Sequence, residues 1–164
     1  DGTGPFRSIA HGDTLEVPVE LQEASSPYRL EWVRLRQDSG GVGKFRGGLG
    51  IEKCYRALAP ISLTVIMERT KCAPWGLLGG GAGKTGRVEV RRQKGGAPEV
   101  YHKGATILEP GDCVVVFSAG GGGFGAPVER PIARVRRDFR RGFISAAAAR
   151  ADYGVTDDEL QGRD

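Results

Sequence analysis

Histidine, cysteine and long apolar runs are all scarce in this chain, and each scarcity removes a class of chemistry. The 2 histidines, His11 and His102, are the only side chains whose ordinary pKa suits proton exchange near neutral pH. The 3 cysteines, Cys54, Cys72 and Cys113, are odd in number and widely spaced. They make no CxxC pair and no zinc-finger spacing, so reduced thiols of a cytoplasmic protein are expected. No apolar stretch is long enough for a membrane span or a signal peptide. Aromatic residues make up only 7% of the chain. The net charge of +4 therefore comes without the stacking residues of a nucleic-acid binder, and no nucleic-acid partner is expected. No serine nucleophile elbow, HExxH pair or paired carboxylates stand out. The chain opens on Asp1 rather than methionine, which fits a processed product or a piece of something longer.

What the chain has in excess is glycine, 27 of 164 residues. The glycines follow no collagen period and gather in separate clusters. With 39% hydrophobic and 27% charged residues, a folded protein with a real core is expected. The first cluster is Asp38-Ser39-Gly40-Gly41-Val42-Gly43-Lys44-Phe45-Arg46-Gly47-Gly48-Leu49-Gly50. A flexible linker would not fix charged and aromatic residues at such short intervals. Ordered backbone that takes positive φ or approaches another surface closely is the expectation. The third cluster, Ser118 to Gly125, is by itself weak evidence for anion binding through backbone amides.

Strands are expected at Tyr28 to Arg36, with a slip in register near Trp32, and at Ile51 to Leu58 and Ile61 to Met67. Arg87 to Arg92 and Pro98 to Lys103 read as a hairpin, and Thr106 to Leu108 as a short strand. Cys113 to Phe117 is the most apolar run and reads as a buried strand. The second glycine cluster, Gly79 to Thr85, resembles a phosphate-binding loop only superficially. Leu78 stands where that loop needs glycine, and a strand follows where it needs a helix. A turn between strands is expected there. Trp75 either lines a cleft or anchors its loop on the core. From Glu129 the period becomes helical: Ile132, Val135, Phe139 and Phe143 share one face and arginines fill the other. Ser145 is placed to cap a second short helix that ends near Gly154.

The fold class expected is α+β, mainly β, with antiparallel strands linked by glycine-rich ordered loops and two short C-terminal helices. Residues 1–128 form the β-rich domain, 129–155 the helical segment and 156–164 a frayed polar tail.

The first glycine cluster closely resembles a segment of the hydantoinase B/oxoprolinase family, which includes B-type subunits of N-methylhydantoinases, 5-oxoprolinases and ketone carboxylases. Three further stretches are similar in the same order. They are Glu68-Arg69-Thr70-Lys71-Cys72-Ala73-Pro74-Trp75-Gly76-Leu77 with Gly79-Gly80, then Pro110-Gly111-Asp112, then Gly120-Gly121-Gly122-Gly123-Phe124-Gly125. Ala126 departs from the pattern, where an acidic residue is usual. The resemblance implies a small subunit or C-terminal fragment of an ATP-dependent hydantoinase/oxoprolinase-type amidohydrolase, inactive in isolation, that completes the B-type subunit acting on a carbonyl activated by an A-type ATP-binding partner. It implies as partners that A-type subunit, the remaining N-terminal part of the B-type subunit and a small-molecule substrate. ATP with Mg and a divalent metal belong by implication to those partner parts, with no cofactor or metal on this chain. A ketone carboxylase of the acetone or acetophenone type is the alternative, as is a non-catalytic binding module that docks through its basic helix. Catalytic residues are not assigned. Cleft or interface candidates are Asp13, Thr14, Asp38, Lys44, Arg46, Arg69, Trp75, Gly121, Gly122 and Gly123.

Overall fold

The computed structural model describes residues 1–3 and 16–162. Asp13, Thr14 and His11 lie outside the described residues. A short helix α1 (Val19–Ser25) comes first, in a stretch that carries no clear helical period. Seven strands follow: β1 (Tyr28–Leu35), β2 (Ile51–Ala57), β3 (Ile61–Ile66), β4 (Arg87–Arg91), β5 (Glu99–Tyr101), β6 (Lys103–Leu108) and β7 (Cys113–Phe117). Helices α2 (Ile132–Arg140), α3 (Ala146–Tyr153) and α4 (Asp157–Gln161) close the chain.

The strands form an antiparallel 5-stranded sheet in the order β1-β2-β7-β4-β5 and a separate antiparallel ribbon of β3 and β6. The fold is thus α+β and mainly β, as expected. The slip near Trp32 is a register shift between Leu30 and Trp32 in the β1–β2 pairing. β7 is central, and its Val114 and Val115 are both buried because both sheet faces are covered. One face supplies Ala57, Val88, Val90 and Val114 to a core that also takes Val65 and Leu108 from the ribbon. Each of these valine and leucine side chains contributes on the order of 1.5–3 kcal/mol by leaving water. The other face buries Cys54, Val115 and Phe117 against Trp32 and Cys113. Burial pushes the Cys54 thiol up to about 11, with Cys113 beside it adding to the effect.

The helical segment has its own core of Val135, Ile144, Ala149, Val155 and Leu160. Ser145 caps α3 by accepting a hydrogen bond from the Ala148 amide, and Gly154 ends it at φ 67°. Residues 157–161 are where the structure departs from the expected frayed tail. Thr156 and Glu159 form a reciprocal capping box, and Leu160 is 2% exposed against α2 and α3. One buried leucine and a good cap suffice to fix a helix of 5 residues on a preformed surface.

Candidate functional site

The glycine clusters come together in space. Residues 39–50, 74–84 and 118–125 run as extended segments side by side and exchange backbone hydrogen bonds. The Gly41 amide donates to Gly121, Gly121 to Gly48, Gly81 to Val42 and Gly123 to Gly81, all within 2.7–2.9 Å. Close approach is what requires glycine here. A methyl group on Gly120 would sit 1.8 Å from the Ser39 carbonyl oxygen, and one on Gly122 would sit 1.9 Å from that of Trp75. Residues 79–85, expected as a turn between strands, are mostly one rod of this bundle. The amides of Gly120, Gly121, Gly123, Phe124 and Gly125 are spent on backbone carbonyls. The anion cradle suggested by the third cluster is therefore closed by the bundle itself.

Arg36 ties the roots of the segments together. It is buried, and its Nη1 donates to the carbonyls of Thr85 at 2.7 Å and Ser118 at 2.8 Å. The Ser39 hydroxyl, fully buried, donates to the Arg36 carbonyl and accepts from the Gly50 amide at 2.9 Å.

The bundle is pinned to the helices by charge. Arg46 Nε donates to Asp138 Oδ2 at 2.9 Å, and Arg130 Nη2 donates to the same oxygen at 2.6 Å. Arg130 also reaches the Asp1 carboxylate at 2.6 Å and 3.0 Å. Both Arg46 and Asp138 are buried, and the Arg46 guanidinium stacks 5.2 Å from the Phe143 ring. Asp38 makes a second joint. Held at φ 56°, it accepts from the Ser145 amide at 2.7 Å, and its own amide donates to the Phe143 carbonyl at 3.0 Å.

The remaining sequence candidates separate by location. Lys44 pairs with Glu129 at 3.0 Å, both half exposed. Gly121, Gly122 and Gly123 lie within the bundle. Trp75 does not anchor on the core: it is 68% exposed, with the Arg69 guanidinium 5.4 Å from its ring. The structure thus joins Asp38, Arg46 and the glycines in one framework and leaves Arg69 and Trp75 on its surface.

Behind Asp38 lies a pocket of about 210 Å³ lined by Asp38, Lys84, Asp152 and Tyr153 among others. Burial pushes the Asp152 carboxyl up, Asp38 adds to the rise and Lys84 opposes it. Sequence reasoning missed Asp138, Lys84, Asp152 and Tyr153. Asp138 was findable, since it is the lone acid in Ile132–Arg140, a helix otherwise carrying arginines. No local signal marks the other three. Among the described residues no three His, Cys, Asp or Glu side chains converge as metal ligands, and no helix is long and apolar enough to cross a membrane.

Comparison with known proteins returns the same family on independent grounds. The family model described as hydantoinase B/oxoprolinase matches residues 1–127. An uncharacterized protein of Methanocaldococcus jannaschii is 38% identical over 141 residues, covering 86% of this chain and 25% of that protein. The caprolactamase subunit beta of Pseudomonas jessenii is 33% identical over 161 residues, covering 93% of this chain and 26% of the relative. The solved ATP-dependent caprolactamase from that organism superposes with a TM-score of 0.77 at 28% identity, over 89% of this chain and 26% of its own. Nucleotide-free acetone carboxylase shares the fold, with a TM-score of 0.73 at 21% identity over 85% of this chain and 23% of its own. The chain spans about a quarter of the length of the curated relatives described here.

Proposed function

This chain belongs to the hydantoinase B/oxoprolinase family, and on that premise we propose that it forms the C-terminal part of a B-type subunit in an ATP-dependent enzyme that opens cyclic amides. The observation that carries this reading is the agreement with caprolactamase subunit beta along 93% of the chain. The carboxylase alternative has weaker support, because the acetone carboxylase likeness, at 21% identity, concerns the fold alone.

In this reading the chain is a rigid wall rather than the source of the reacting groups. An amide carbonyl resists water because the nitrogen lone pair is delocalised onto it. Transfer of a phosphoryl group from ATP to the carbonyl oxygen removes that resistance, so activation and attack can be divided between two subunits. The A-type partner binds ATP and Mg. The rest of the B-type polypeptide brings the divalent metal and the attacking groups. The glycine bundle, cross-bonded and pinned by Arg46 and Asp138, holds its surface residues in fixed positions, which is what a site wall requires.

The basic-helix docking alternative loses ground on the arginines. Arg137 reaches Asp1 at 3.1 Å, Arg140 donates to the Gly162 carbonyl at 2.7 Å, Arg136 donates to the Glu159 carbonyl, and Arg134 lies over Phe45. These charges are engaged within the chain.

The test is turnover by the assembly captured from the source through this chain. ATP-dependent opening of a lactam or hydantoin ring supports the proposal. Capture of an assembly that consumes ATP only when a ketone and bicarbonate are supplied would instead select the carboxylase alternative.

A further inference from the structure

A place as the C-terminal part of a B-type subunit leaves open which face meets the rest of that subunit. Resting on that reading, we infer that an apolar row on the glycine bundle, Trp75, Leu77, Leu78, Phe124 and Phe45, is the surface on which the rest of the B-type polypeptide seats.

The bundle brings Phe45, Phe124 and Leu77 side by side, and Trp75 and Leu78 flank Leu77 along its own segment. Phe45 and Phe124 face each other across an antiparallel bridge, and Leu77 bridges Phe124 from the other side. The two phenyl rings are 6.2 Å apart. Leu77, Phe124 and Phe45 are nevertheless 56%, 43% and 37% exposed, and Trp75 and Leu78 are more exposed still. Arginines frame it: Arg69 stacks on Trp75 at 5.4 Å and Arg134 on Phe45 at 5.6 Å. An aromatic and aliphatic centre with an arginine rim is the composition of a protein interface. It does not suit a small polar ligand.

Leu78 adds an observation of a different kind. It is a non-glycine residue at φ 48° and is 77% exposed. Left-handed backbone is unfavourable for leucine, and so is an aliphatic side chain in water. Asp38 has the same backbone conformation, but its amide and carboxylate are both bonded to the helical segment. The backbone of Leu78 is set by a tight turn, in which Gly79 also has positive φ and the Gly80 amide donates to the Leu77 carbonyl at 2.9 Å; what the turn does not require is an exposed leucine, where glycine or asparagine is the usual choice.

The occupant follows from length. The units matching this chain occupy only 26% of the caprolactamase beta subunit and 26% of the solved caprolactamase chain. In such proteins the remaining three-quarters belongs to the same polypeptide, which favours it over a free partner as the occupant of the row. The row stands on hydrogen-bonded backbone, so little ordering opposes the contact.

Hydroxyl-radical footprinting of the intact assembly, read by mass spectrometry, tests the assignment. The denatured assembly supplies the reference rates. Protection of Trp75, Leu77 and Phe124 in an assembly that contains further B-type polypeptide is the expected result. Two substitutions accompany it. Trp75→Ser should weaken association roughly 30-fold or more, as loss of an aromatic anchor does. Leu78→Asn should weaken association without lowering Tm, because asparagine accepts left-handed backbone more readily than leucine. Modification of Trp75 and Leu77 at denatured rates within such an assembly would overturn this surface and leave the proposed function standing. An assembly built only from copies of this chain would overturn both, whichever residues it protects.

Discussion

Arg46 and Asp138 lie 92 positions apart in the chain, yet the guanidinium Nε of one donates to the carboxylate of the other at 2.9 Å in the interior. Asp138 also receives Arg130, so one buried carboxylate faces two buried guanidinium groups. Removing it leaves Arg46 with the Gly47 carbonyl but no carboxylate, and takes one of two carboxylates from Arg130. Asp138→Ala should cost about 3–5 kcal/mol, the range for breaking a buried ion pair from one side. Chemical denaturation should show a large drop in midpoint. A loss under about 1 kcal/mol would mean that the network is not stabilising.

The glycine bundle makes a sharper prediction because a single methyl group tests it. Gly120→Ala and Gly122→Ala place that methyl within 2 Å of a carbonyl on a neighbouring segment. The obstructing atoms are backbone of a hydrogen-bonded neighbouring segment, not the end of a flexible side chain, so both variants should fail to fold or lose well over about 3 kcal/mol. Gly142→Ala is the control. Its added Cβ meets nothing within 4 Å, and only the φ of 69° opposes it, at about 1 kcal/mol. Soluble yield and thermal midpoint distinguish the two classes.

The C-terminal helix gives a mild counterpart. Thr156→Ala breaks the capping box with Glu159 and should cost about 1 kcal/mol. Hydrogen exchange should quicken across residues 157–161, with little change in the sheet.

Asp112 should contribute to the loss of stability in acid. Burial works against its charge. The amides of Gln93 and Glu109 and the guanidinium of Arg92 outweigh that effect and hold its carboxyl below the usual range. A folded pKa below the unfolded one means the stabilisation is complete above the unfolded value, near pH 3.8. It is lost as pH falls through the lower folded value. Asp112→Asn should lower stability at pH 7 by about 1–3 kcal/mol and flatten the acid limb of a stability–pH curve. An unchanged acid limb would place the titration elsewhere.

Much of the fold could be read from the chain because its signals are local. Alternation marks β1, a continuous apolar run marks the central β7, and Ser145 with Gly154 brackets α3. The bulge at Trp32 was visible as a broken alternation. The pairing of β3 with β6 was not, because the partners are separated by two other strands and no short-range signal encodes that closure. The helix α4 was missed although Thr156 and Glu159 stand at capping-box spacing, since a single leucine gives no period. The glycine clusters announced ordered backbone but not their mutual contact. Glycine density shows that something comes close, and only the tertiary structure shows what. Asp38 and Arg46 were singled out within the first cluster, but their partners, Ser145 and Asp138, lie in the helical segment and could not be named from the cluster alone.

Native mass spectrometry of the protein purified gently from its source tests the central claim most directly. The account predicts this chain inside a large assembly that also holds the rest of a B-type polypeptide and an ATP-binding subunit. A lone 17.5 kDa species, stable and without companions, would contradict it.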